Sequence, residues 1–246
     1  MNLVVDIGNS RVKAGVFNEK TLIYHATFPN AQVTELKKIL HSFPELKFAI
    51  VSSVVTHAKE LLNVLVNKVN CVEFNFNTKT PVINGYRTPE TLGNDRLAAA
   101  VGAYARFPGI NCLIIDAGTC IKYDLVTAQG EYLGGAIAPG LEMRFKALNT
   151  FTDKLPVFGQ DMTFDKLIGR TTRESILSGV QNGMLEEIKG MMARCKEQYP
   201  HLQCVITGGD WQFFENGLKN SIFAAPFLLL EGLNEILTFN VQQKNK

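Results

Sequence analysis

At 246 residues with 46% apolar side chains, the chain is long enough for one large or two small domains with buried cores. Its 25 Lys+Arg against 23 Asp+Glu leave a net charge of +2, with no electrostatic footprint for nucleic acid and no basic block for an anionic membrane. The five cysteines, Cys71, Cys112, Cys120, Cys195 and Cys204, form no CxxC pair and read as reduced thiols of a cytoplasmic protein, neither a disulfide framework nor a zinc site.

Asp6 interrupts the early apolar run, so no secretory leader is expected. Residues 3–5 and 12–17 read as strands around a DIGNS turn, and residues 22–28 as a third strand. Helical spacing follows over 31–42, a continuous apolar strand over 48–54, helical spacing again over 57–69, and an alternating strand over 72–76. A polar loop holding Pro81, Gly85, Pro89 and Gly93 leads into a helix from Asp95, stopped by Pro108-Gly109. The pattern then restarts. Strands are expected over 111–115, 121–127 and 132–137, with a DAGTC turn between the first two. A helix from about Leu141, a long helix over 172–198, a strand over 203–207 and a last helix over 229–237 complete the chain. The late apolar run 222–230 contains Pro226 and is too short to span a bilayer. Both halves open with the same three strands, which reads as an internal duplication. The expected architecture is α/β, with duplicated domains over 1–109 and 110–246 sharing a cleft.

Two turns carry the first functional signal. Asp6-x-Gly8-Asn9-Ser10 and Asp116-x-Gly118-Thr119 each follow an apolar strand. Glycine admits an anion to backbone N–H groups, while Asn9, Ser10 and Thr119 add side-chain donors that phosphate oxygens accept. A carboxylate at the strand end suits a cation or its water held against the phosphates. Taken singly, either turn is ordinary hairpin punctuation; the pair, one in each half, favours a shared phosphate ligand. No P-loop and no Gly-x-Gly-x-x-Gly after a strand is present, so nucleotide would bind through the two turns. The segments GGAIAPG (134–140) and TGGD (207–210) supply glycines for a close backbone wall.

Asp95 and Arg96 open the helix after the polar loop and admit two readings. Asp95 serves the helix dipole and pairs with Arg96, or it accepts a proton from a substrate hydroxyl while Arg96 holds an anionic group. Aspartate is a modest base, but phosphoryl transfer depends mainly on positioning. Thr171 with Glu174 fits a capping box, which would leave the Thr172 hydroxyl for a ligand.

In order and spacing, DIGNSRVKAGVF, GYRTPETLGNDR, DAGTCIKYD, GGAIAPGL, the G-x-x-T-x-x-S-I stretch from Gly169 to Ile176, and TGGD together resemble the type III pantothenate kinases. These belong to the acetate and sugar kinase/Hsp70/actin superfold, whose domains are ribonuclease H-like, actin-like ATPase halves. The resemblance implies a cytoplasmic homodimer that uses ATP and Mg²⁺ to phosphorylate pantothenate, the first step of coenzyme A synthesis. It implies Asp95 as general base, with Tyr86, Gly93, Asn94, Asp95, Arg96 and Thr172 around pantothenate. Asp6, Gly8, Asn9, Ser10, Arg11, Lys13 and Thr119 would hold ATP, with Asp6 near Mg²⁺ and Asp116 at a monovalent cation, K⁺ or NH₄⁺. Two positions depart from the family's usual DxGTAxT: Cys120 and Lys122. An ammonium at Lys122 would lower the need for K⁺. The alternatives are another small-molecule kinase of this superfold, or a regulatory binding protein resembling the Bvg accessory factor.

Overall fold

The structure, a computed structural model, describes residues 1–8, 11–29, 32–53, 59–219 and 221–244. These form two compact units. The first comprises Met1–Pro108, Gln129–Tyr132 and Phe227–Lys246, and the second Gly109–Ala128 and Leu133–Pro226. The C-terminal residues from Phe227, which the sequence pattern puts in the second half, therefore group with the first unit.

In the first unit, strands β1 (Asn2–Ile7), β2 (Arg11–Asn18), β3 (Thr21–Pro29), β4 (Phe48–Ser53) and β5 (Asn70–Phe74) form a sheet of order β3-β2-β1-β4-β5. β1 to β3 run antiparallel, while β4 and β5 continue parallel to β1. A period of two sorts the side chains. Leu3, Val5, Ile7, Val12, Ala14, Ala49 and Val51 enter one core with Leu36 and Ile39 of helix α1 (Val33–Ser42) and Leu65 of α2 (Lys59–Val66). The opposite face carries α3 (Asn94–Arg106) and α8 (Leu228–Lys244): a Cβ on Gly15 would touch Leu230 at 3.2 Å, and Asn2 Nδ2 donates to Asn234 Oδ1 at 2.9 Å. Strand β6 (Ile83–Asn84) pairs in parallel with Glu131 and Tyr132.

The second unit repeats the plan. β7 (Cys112–Ala117), β8 (Cys120–Val126), β9 (Glu131–Pro139, of which Leu133 onward belongs to this unit), β10 (Gln203–Thr207) and β11 (Phe223–Ala224) lie in the order β9-β8-β7-β10-β11. β7 and β8 are antiparallel, and β10 and β11 continue parallel to β7. Leu113, Ile115, Ala117, Ile121, Tyr123 and Leu125 face a core made with α4 (Leu141–Thr150), α5 (Thr172–Leu177), α6 (Gly183–Gln198) and α7 (Trp211–Gly217). The repeated strand order is what an internal duplication produces.

Most expected elements form within two residues. Ala31, Val54 and His57, expected element ends, lie outside the described residues. The long helix is interrupted: a π-turn at Ser178–Asn182 separates α5 from α6. The last helix continues past the expected Leu237 to Lys244. β6, β11 and α7 were not anticipated: the strands have two residues each, and α7 follows the Gly-Gly turn directly. Asp210 at its N-cap was the available signal. Among the described residues, no helix is long and apolar enough to cross a membrane.

Candidate active site

In each Asp–Gly turn the glycine N–H meets a carbonyl further along the chain, three residues on in the first turn and two in the second. Gly8 N–H donates to Arg11 O at 3.0 Å, and Gly118 N–H donates to Cys120 O at 3.1 Å. Asn9 and Ser10 lie outside the described residues. Arg11 and Lys13 are exposed and share one face of β2, since Val12 and Ala14 point into the core between them. Asp6 sits on the face of β1 away from that core and is 7% exposed. Its register partners are Lys13 on β2 and Ser52 on β4. Ser52 is completely buried, and its hydroxyl has no hydrogen-bond partner among the described residues. Sequence reasoning missed this serine, although an apolar strand ending in Ser-Ser is an available signal.

The second unit reproduces this arrangement of acid, lysine and hydroxyl. Asp116 on β7 registers with Lys122 on β8 and Thr207 on β10. Here the lysine is engaged: its Nζ lies 2.6 Å from Asp116 Oδ2, with side chains 15% and 22% exposed. Thr119 is exposed at the turn, and its carbonyl accepts from Gly140 N–H at 3.1 Å. The segment 134–140 is thereby tied to the turn, and Gly140 is needed there because a Cβ would fall 2.0 Å from Gly118 O. The TGGD segment docks on the other side, where Asp210 N–H donates to Ala117 O at 2.9 Å. Burial, with Glu142 and Asp116 nearby, pushes the Asp210 carboxyl above its ordinary range.

Five of the six residues expected around an alcohol substrate, Tyr86, Gly93, Asn94, Asp95 and Arg96, lie in the first unit. Asn94, at the start of α3, donates from Nδ2 to Phe74 O at 2.8 Å, which fixes the helix mouth to the end of β5. Asp95 is half-buried, and its Oδ1 accepts from Arg96 N–H at 2.9 Å. The helix-end reading of Asp95 is thus realised by one oxygen. Arg96 is 5% exposed, and its guanidinium lies 5.5 Å from the Tyr86 ring centroid, within cation–π range. Tyr86 in turn lies 6.2 Å from Tyr132. A Cβ on Gly93 would stand 2.6 Å from Asp95 Oδ1, so a side chain there would shift that carboxylate.

Thr172 belongs to the second unit. Thr171 Oγ1 accepts from Glu174 N–H at 3.2 Å, and Glu174 Oε2 accepts from Arg170 N–H at 2.8 Å. Thr171 therefore does the capping, and Thr172 is exposed on a cavity of about 1110 Å³ lined also by Arg144, Phe151, Leu155 and Gly179. Arg144 is held by Glu187 Oε2 at 2.6 Å and donates from Nε to Pro139 O at 2.8 Å; Glu187 also accepts from Tyr123 OH at 2.9 Å. Among the described residues, no group of three His, Cys, Asp or Glu side chains is arranged to hold a metal.

The whole chain aligns with solved structures of the sugar-kinase and actin-like ATPase fold. A Campylobacter jejuni protein described as a Baf family transcriptional activator matches at a TM-score of 0.65 and 23% identity, covering 98% of this chain and 99% of that one. A glucokinase from an Antarctic psychrotroph matches at 0.52 and 13%, covering 97% and 98%. These likenesses define the fold class. The family model for type III pantothenate kinase matches residues 2–194. Relatives named type III pantothenate kinase are 44% identical in Christiangramia forsetii, over 99% of this chain and 100% of the relative, and 43% identical in Phocaeicola vulgatus, over 98% and 99%. The chain belongs to the type III pantothenate kinase family.

Proposed function

We propose that this protein transfers the γ-phosphoryl group of ATP to the terminal hydroxyl of pantothenate, opening coenzyme A synthesis. The observation that carries the reading is the cluster at the mouth of α3. In a chain of this family, Tyr86, Gly93, Asn94, Asp95 and Arg96 stand together on one helix end. Arg96, stacked on Tyr86, is the cation for the pantothenate carboxylate. Asp95 accepts the hydroxyl proton as the oxygen attacks phosphorus; the P–O bond to ADP breaks as the new one forms. Thr172 contributes a hydroxyl to the substrate.

ATP phosphates take their donors from Gly8, Asn9, Ser10, Arg11 and Lys13 and from Thr119. Mg²⁺, when bound, neutralises charge on the transferring phosphate. The residues at Asp6 fit its hydration shell: a nearly buried carboxylate stands in register with the Ser52 hydroxyl, which is unpartnered among the described residues. The protein works as a homodimer. Phe151, Leu167 and Ile168 are 84%, 73% and 76% exposed near the Thr172 cavity, an apolar surface that suits a second copy. All five cysteines are free thiols, and burial pushes Cys112 up to about 12 and Cys204 to about 11, which suits a reducing cytoplasm. The C. jejuni protein's description adds no weight to the regulatory alternative, because a likeness at 23% identity shows fold alone.

Purified protein with ATP and Mg²⁺ should release ADP only when pantothenate is added, with phosphopantothenate identified by mass. ADP release indifferent to pantothenate, from protein that binds ATP, would sink the assignment.

A further inference from the structure

The cation expected at Asp116 does not fit the residues present. Asp116 Oδ2 already has the Lys122 ammonium at 2.6 Å, and that pair is largely withdrawn from solvent, at 22% and 15% exposure. The other oxygen faces the TGGD backbone so closely that a Cβ on Gly208 would fall 2.5 Å from it. A K⁺ ion ligated by this carboxylate would have to displace the ammonium or sit against a like charge in a half-buried site.

We propose that the Lys122 ammonium is this chain's built-in monovalent cation at Asp116, so that the protein needs neither K⁺ nor NH₄⁺. The chemistry matches. A lysine head is a compact point charge with three donors, which makes it a tethered counterpart of free ammonium. The topology places it without strain: Lys122 registers directly opposite Asp116, as Lys13 registers opposite Asp6 in the other unit. The location gives it consequence, because Asp116 leads into the turn that exposes Thr119, and the adjoining carbonyl of Ala117 accepts from Asp210 N–H. Lys122 is thus a positioning residue. It fixes the charge and geometry of the second phosphate turn, whereas a dissociable ion would make that turn salt-dependent.

The turnover arm of the test rests on the pantothenate kinase reading; the binding arm does not. ATP affinity by calorimetry and turnover with pantothenate are measured in potassium, ammonium, sodium and tetramethylammonium chloride at one ionic strength. Wild-type protein is expected to give the same affinity and turnover in all four, within about twofold. Lys122→Thr is expected to bind ATP about tenfold more weakly in tetramethylammonium and to recover in potassium or ammonium, a rescue that loss of packing alone does not produce. Lys122→Arg keeps the charge and should remain indifferent to the salt, which preserves the test should the threonine variant misfold. A wild-type protein whose ATP affinity rises about tenfold from tetramethylammonium to potassium overturns the proposal. So does a folded Lys122→Thr that ignores the salt, or a Lys122→Arg that acquires a potassium requirement. Protein inactive toward pantothenate in every salt would refute the activity, while the calorimetry would still decide the role of Lys122.

Discussion

Gly102 and Gly232 meet where α3 and α8 cross, each backbone filling the space that the other's side chain would need. A Cβ on Gly232 would stand 1.8 Å from Ala98 O and 2.9 Å from Gly102 N, and one on Gly102 would stand 2.4 Å from Leu228 O. This contact explains why the C-terminal helix joins the first unit. The small residues Ala98, Ala99, Ala100, Gly102 and Ala103 make α3 thin enough for α8 to approach at backbone distance.

Gly232→Ala is therefore expected to destabilise by about 1–3 kcal/mol or more, through overpacking against backbone that cannot rotate away. Gly190→Ala is its control. Gly190 is exposed in α6, and a Cβ there would meet nothing within 4 Å, so alanine should stabilise by up to about 1 kcal/mol. Denaturant titration of both variants checks the pair. Equal effects would mean that α3 and α8 approach less closely than these distances require.

Asp95→Asn should lower turnover by about 10²–10⁴-fold while leaving the thermal midpoint and ATP affinity near wild type. Asparagine retains an oxygen for Arg96 N–H, so the helix end survives and only the proton acceptor is lost. If melting temperature falls and turnover does not, Asp95 is a helix-end residue and no more.

Gly208 adopts φ of +96°, and a Cβ there would lie 2.2 Å from Ala117 O. Alanine would incur about 1–3 kcal/mol of backbone strain and push on the Asp116 turn. Weaker ATP binding together with reduced stability is the expected result. A variant with lowered stability but unchanged ATP affinity would separate TGGD from the nucleotide.

Asp161 gives a pH dependence of definite sign. Hydrogen bonds from Thr163 and Arg173 hold its carboxyl down at about 2. An aspartate in the unfolded chain titrates near ~3.9, so between these values the unfolded state binds more protons. The stabilisation from this group is complete above the unfolded value and is lost as pH falls from about 4 toward 2. Thermal midpoints of wild type and Asp161→Asn should converge on acidification through that window. Parallel curves would show that the carboxylate does not anchor the loop.

Local order in this chain was legible because strand periodicity, Asp–Gly turns and helix ends are encoded within a few residues. DIGNS and DAGTC each formed a closed turn at the end of a buried strand, and the capping box at Thr171 formed as spaced. The motif order was likewise enough to indicate the family, since residues that contact a ligand stay in short segments. What the sequence left open are relations between distant segments. Ser52 became notable only when parallel pairing set its buried hydroxyl beside Asp6, and Lys122 only when register put its ammonium on Asp116. Chain position groups the C-terminal helix with residues 110–246, whereas it packs in the first unit; apolar spacing tells a helix which face to bury and not against which partner. That partner is chosen by complementary backbone shape, here glycine against glycine, and such a fit exists only once both helices are packed.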